Sequence, residues 1–136
     1  MPDAAPLQLA RRMLAAYEAQ DLAAVDELVH PDHRDHDRSA KGRESVRAAI
    51  RWLGDTFADV ELVCEDMIAA GDRLVARVRF SATQIGEFEG RAATGRRLSV
   101  QHIHIWRVAD GLLVEHWMVR DDLGAVRQLD AEEVAW

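Results

Sequence analysis

At Asp59 the hydrophobic spacing of this chain changes period, and that change restricts the fold more than any other feature. Upstream the apolar residues recur at helical spacing; downstream they alternate. Leu9, Ala10, Met13, Leu14 and Tyr17 mark a helix from Pro6 to about Gln20, with Pro6 suited to a helix start. Asp21 is placed to cap a short second helix carrying Leu22, Val25, Leu28 and Val29, and His30-Pro31 ends it. A third helix is expected from Arg43 to Phe57, with Val46, Ile50, Leu53 and Phe57 on one stripe. Between the last two, His30 to Gly42 reads as a polar loop holding three histidines and three aspartates.

Beyond Asp59 the alternation predicts strands over Val60–Ile68, Leu74–Thr83, Leu98–Val108 and Leu112–Val119, with Ala70-Gly71-Asp72 as a turn. Gln84 to Arg97 carries Gly86, Gly90 and Gly95 and reads as a mobile loop or an irregular edge. Asp121 can cap a last helix with Leu123, Val126 and Leu129, and Glu132-Glu133 read as an acidic tail. Helices first and a strand meander second predict one α+β domain over residues 1–136, its helices packed on one face of an antiparallel sheet.

Composition narrows the function classes. Hydrophobic residues make up 49% of the 136 and charged residues 30%, enough for one packed core. Seventeen Lys+Arg against 24 Asp+Glu leave a net charge of −7, which argues against nucleic acid or an anionic membrane as partner. Cys64 is the only cysteine, so neither an internal disulfide nor a cysteine zinc site is expected. No apolar run approaches the ~18 residues of a membrane span. The N-terminal residues lack an apolar signal core, so the expected location is cytoplasmic.

The segment SVQHIHIWRVADGLLVEHWM, Ser99 to Met118, carries the chemistry. Alternation puts His102, His104 and Trp106 on one side of the first strand, and Gln101, Ile103, Ile105 and Arg107 on the other. In the return strand Val114, His116 and Met118 share a side; Leu113, Glu115, Trp117 and Val119 share its opposite. A two-residue Asp110-Gly111 turn would set His104 against Trp117. A three-residue Ala109-Asp110-Gly111 loop sets it against His116, and His102 against Met118. The second register is expected because it gathers the three imidazoles on one concave face. Three readings of that cluster stay open: a proton-transfer site, three-histidine zinc, or plain pocket polarity. His30, His33 and His36 read more simply as a solvated loop than as a metal site, Trp52 as a cavity roof or an edge contact, and Arg77 and Arg79 as a solvated or ion-paired face.

HPDHRDHD, GRESVRAAIRWL, TQIGEFEGRAATGRRLSVQ, HIHIWRVADGLLVEHW and RDDLGAVRQL, in that order from His30 to Leu129, resemble the SnoaL-like polyketide cyclase (ester cyclase) family of the nuclear-transport-factor-two-like superfamily. The resemblance implies a cone-shaped α+β barrel in which helices and a curved sheet enclose one pocket. It also implies a small-molecule substrate of aromatic polyketide type, ring closure by aldol chemistry, and no metal or organic cofactor. Relatives hydroxylate, dehydrate or isomerise in the same pocket, and a non-catalytic small-molecule binder is a further alternative. In the ring-closing members the last strand reads Glu-His-Trp-Asp, and that aspartate is the acid/base; here the position is Met118. The expected catalytic groups are therefore His104 and His116, one as base and the other donating to the oxyanion, with His102 orienting them. Tyr17, His36, Trp52, Phe88, Trp106 and Met118 are expected to contact substrate. The opposite face, with Ile103, Ile105, Leu113, Trp117 and Val119, is expected to form a homodimer.

Overall fold

The computed structural model describes residues 4–131, which leaves Glu132 and Glu133 outside the described residues. Its elements run α1 (Ala4–Ala19), α2 (Val25–Leu28), β1 (Val29–Asp35), β2 (Ala40–Lys41), α3 (Arg43–Thr56), β3 (Phe57–Ala70), β4 (Arg73–Gln84), β5 (Arg97–Ala109), β6 (Leu112–Arg120) and α4 (Asp122–Asp130). The six strands form one curved sheet in the order β2-β1-β6-β5-β4-β3, with β2 and β3 as free edges, so the sheet does not close on itself. β1 and β6 run parallel; every other neighbouring pair is antiparallel.

Alternation is sharp where the sheet meets the helices. Leu74, Ala76, Val78, Phe80 and Ala82 of β4 point inward and are buried, as are Leu98, Val100, His102, His104 and Trp106 of β5. The predicted stripe of α3 is buried against this face through Val46, Ile50 and Leu53. Two apolar clusters result. One holds Met13, Leu28, Ile50, Leu74 and Trp106; the other holds Leu53, Phe57, Phe80, Leu98 and Leu129. Tyr17 and Leu62 touch both, at the place where the polar residues collect. Among the described residues, no helix is long and apolar enough to cross a membrane.

Two sequence expectations change. The polar loop after His30 is in fact a strand: β1 lies parallel to β6 and sends Val29, His33 and Asp35 inward. Its pairing shifts between Val29 and Arg34, around Pro31, which has no N–H to donate to a ladder. Two of its three inward residues are polar, Asp35 lining the cavity and His33 bonded to the Leu113 carbonyl, so the usual apolar alternation is absent.

The second change is in the histidine hairpin. Ala109 pairs Leu112 across a two-residue Asp110-Gly111 turn, with φ of 56° and 73°, the type I′ geometry that suits strand twist. Val114 is then an extra residue, because Val108 pairs Leu113 while Arg107 pairs Glu115. Turn and bulge together restore the predicted faces with the register moved by two: His104 faces Met118, His102 faces Arg120, and Trp106 faces His116. The bulge also turns Leu113 into the core, fully buried, and removes it from the expected outer patch. Ile103 and Val119 remain there, 43% and 73% exposed.

The glycine-spaced segment is irregular, as expected. Buried Gln84 donates to the carbonyls of Gly86 and Arg91 and accepts from the Thr94 hydroxyl, so one side chain organises the whole loop.

Candidate active site

A cavity opens between the sheet and helices α1 and α3. Tyr17 comes from α1, Ala49, Trp52 and Leu53 from α3, and Asp37 and Arg38 from the turn after β1. The sheet supplies Asp35, Leu62, Phe80, His102, His104, His116, Met118 and Arg120. Apolar walls around a few convergent polar groups are the usual form of a small-molecule site.

The polar groups form a chain. His104 Nδ1 lies 2.9 Å from His116 Nε2, both rings buried. His116 Nδ1 lies 3.4 Å from Asp35 Oδ1, and Asp35 is only 2% exposed. Trp106 stacks flat against both imidazoles from behind, with centroids 5.1 Å from His104 and 5.2 Å from His116, and fixes their planes. Burial works against the Asp35 carboxylate, yet the contacts with His116 and His33 and the N–H of Asp37 hold its pKa below the ordinary carboxylate value.

An ionised carboxylate only accepts, so His116 carries its proton on Nδ1 toward Asp35. In its neutral form His116 then accepts at Nε2 from His104 Nδ1–H. This leaves His104 Nε2 as a free lone pair, with no protein partner among the described residues, on a ring that lines the cavity. Burial, then the neighbouring His116 and His102, hold His104 well below the ordinary histidine pKa. Its imidazole is therefore neutral, and able to accept a proton, at neutral pH. Once a proton is accepted, it passes along the chain to rest on His116 beside Asp35, and His104 Nε2 becomes a donor.

Asp35 is the residue that sequence reasoning missed. The signal was present as His33-x-Asp35, an alternation that shares one face once the segment is read as a strand. Arg120 and Phe80 also line the cavity without having been singled out. His102 stacks on Phe80 and lies 6.1 Å, centroid to centroid, from His104 without a hydrogen bond to either partner, so it does not orient the pair.

Of the expected substrate contacts, Tyr17, Trp52 and Met118 line the cavity. Burial, reinforced by the charge of Asp35, pushes the Tyr17 phenol upward, so it stays protonated and can donate. Three others lie elsewhere. Trp106 is buried behind the histidines. His36 is on the outer face, stacked on Trp117 at 4.7 Å and bonded to Glu115 at 2.8 Å. Phe88 packs in the second apolar cluster against Phe57 and Trp52. Among the described residues no group of three or more His, Cys, Asp or Glu is arranged to hold a metal ion, since the ring nitrogens of His104 and His116 face each other. The three-histidine zinc pattern therefore has no matching geometry. His33, buried, donates from Nδ1 to the Leu113 carbonyl at 3.0 Å and keeps an unpartnered Nε2.

Comparison with known proteins agrees with this architecture. The aklanonic acid methyl ester cyclase DnrD of Streptomyces peucetius is 32% identical over 129 residues, covering 90% of this chain and 89% of DnrD. The nogalonic acid methyl ester cyclase of Streptomyces nogalater is 26% identical over 122 residues, covering 86% of this chain and 91% of that enzyme. The solved structure of TsrD from Streptomyces laurentii superposes with a TM-score of 0.87 at 41% identity, covering 95% of this chain and 97% of TsrD. The model of the SnoaL-like polyketide cyclase family matches residues 7–129, nearly the whole described fold, and the chain belongs to that family.

Proposed function

We propose that the protein is an enzyme that closes a ring in an aromatic polyketide intermediate by intramolecular aldol addition. The observation that carries this reading is the Asp35–His116–His104 chain, which ends in a free imidazole nitrogen on an apolar cavity. The named cyclases among the relatives support the substrate class. His104 Nε2 removes a proton from carbon, and the C–H electron pair becomes an enolate. The proton moves to His116, where Asp35 stabilises the imidazolium. The enolate carbon adds to a carbonyl carbon of the same molecule, so one C–C bond forms and the carbonyl π pair passes to oxygen. His104 Nε2–H then protonates that oxygen, and the relay returns to its starting state. One site thus serves as base and then as acid, the double role that the family's aspartate fills at the position of Met118.

Met118 itself favours a second reading, a binder of the same intermediate that has lost the family's acid/base. Turnover separates the two. His104→Ala and His116→Ala should each lower kcat by ~10²–10⁴, the range for general acid–base groups, with substrate affinity nearly intact. Wild-type rates in both variants would favour the binder.

A further inference from the structure

The cavity has a second polar corner that the proton relay leaves unused. His102 and Arg120 are direct cross-strand partners on β5 and β6, both lining the cavity, at a spacing that puts their Cβ atoms ~5 Å apart. His102 is 9% exposed and lies flat on Phe80, with centroids 4.8 Å apart. Neither of its ring nitrogens has a hydrogen-bond partner among the described residues, so the N–H of this cavity-lining ring is unused. Burial and the charge of Arg120 push its pKa down to about 4, which keeps it a neutral donor at neutral pH.

Arg120 is held in place yet mostly unspent. Its guanidinium lies 5.5 Å from the centroid of the Trp52 ring, and among the described residues its one carboxylate contact is with Asp122 at 3.3 Å. A guanidinium has five N–H donors in a fixed fork, so most remain free. A fork of this kind beside an imidazole N–H, within apolar walls, matches a delocalised oxyanion far better than a neutral ester oxygen. We propose that His102 and Arg120 form an anion subsite that binds an ionised oxygen group of the substrate, a carboxylate or the enolate of an acidic β-dicarbonyl. The inference rests on the cyclase reading because it concerns the same cavity. The 6.1 Å between the His102 and His104 rings would set the anionic group beside the carbon presented to the relay.

Binding of aromatic probes tests this without turnover. Anthraquinone-2-carboxylate is compared with its methyl ester, and ionised 2-acetylindane-1,3-dione with its neutral enol methyl ether, by quenching of tryptophan fluorescence. The wild-type protein should bind the ionised member about ten- to a hundredfold more tightly, the worth of a charge-assisted hydrogen bond. Arg120→Met should reduce that ratio to within about threefold, and Arg120→Gln serves the same purpose should the methionine variant not fold. His102→Phe, which keeps the stacking on Phe80, should lower the ratio part of the way. A preference in one arm alone that disappears with Arg120 identifies which anion the corner takes. Equal binding in both arms, or a preference that survives the loss of Arg120, overturns the proposal. Because the readout is affinity, it can fail while histidine-dependent turnover stands, and it can hold while turnover proves insensitive to His104.

Discussion

Asp35→Asn is the most informative single change, because it keeps the shape of the relay and removes only its charge. Asparagine can still accept from His116 Nδ1–H, so the tautomer and the ring positions held by Trp106 should persist. What disappears is the attraction between the carboxylate and the imidazolium that forms when His104 hands on its proton. At the observed 3.4 Å and an effective dielectric of about 20, that attraction is about 5 kcal/mol. Desolvation offsets part of it, so this is an upper bound on what the transition state loses. Each ~1.36 kcal/mol is tenfold in rate, which caps the loss at somewhat over ~10³ and sets an expected fall in kcat of ~10²–10³. KM should change little, since Asp35 acts through His116 rather than on substrate. Removing a negative charge also makes the histidine pair a weaker base, so the acid limb of the pH–rate profile should move to lower pH. Steady-state ring closure followed by absorbance across pH, with a thermal melt to confirm folding, reads all three. A folded Asp35→Asn protein with wild-type kcat, or an acid limb moved upward, would refute the relay.

Met118→Asp places a carboxylate opposite His104; it should stabilise the imidazolium, raise the acid limb and lower native turnover, whereas an unchanged pH profile would show that position 118 does not communicate with the relay. His102 has a folded pKa of about 4 against an ordinary 6.5, so the unfolded chain binds the extra proton and stability should fall as pH drops from 6.5 toward 4. His104 and His33, also lowered by burial, act in the same direction, and His102→Phe should flatten the melting-temperature profile over that window. We also propose that the outer sheet face pairs two copies: light scattering at micromolar concentration should give a dimer mass, and Val119→Asp, which charges the most exposed apolar residue of that face, should give a monomer. A monomeric wild-type protein would dismiss the proposal.

Much of this molecule could be read from one dimension. The change of period near Asp59 separated α3 from the strand meander β3–β6, and the stripe Val46-Ile50-Leu53 together with the alternation of β4 and β5 identified the buried faces. These signals are legible because burial is local along a periodic element: a helix or strand must repeat its apolar residues at its own pitch to keep one face dry. Alternation likewise put His102 and His104 on one face; His116 joined them through an expected three-residue loop, which the structure replaces with a two-residue turn and a bulge. The tertiary structure decided what periodicity does not encode. β1 sends His33 and Asp35 inward where an ordinary strand carries valine, so only its pairing with β6 reveals it as a strand. The bulge at Val114 costs one residue and shifts every partner beyond it, and no local spacing distinguishes it from a longer loop. Asp35 and His116 are eighty-one positions apart in the chain and 3.4 Å apart in space. Sequence spacing fixes which way a side chain points from its own element; which other side chain it meets is set by strand order and register, and the proton relay exists only there.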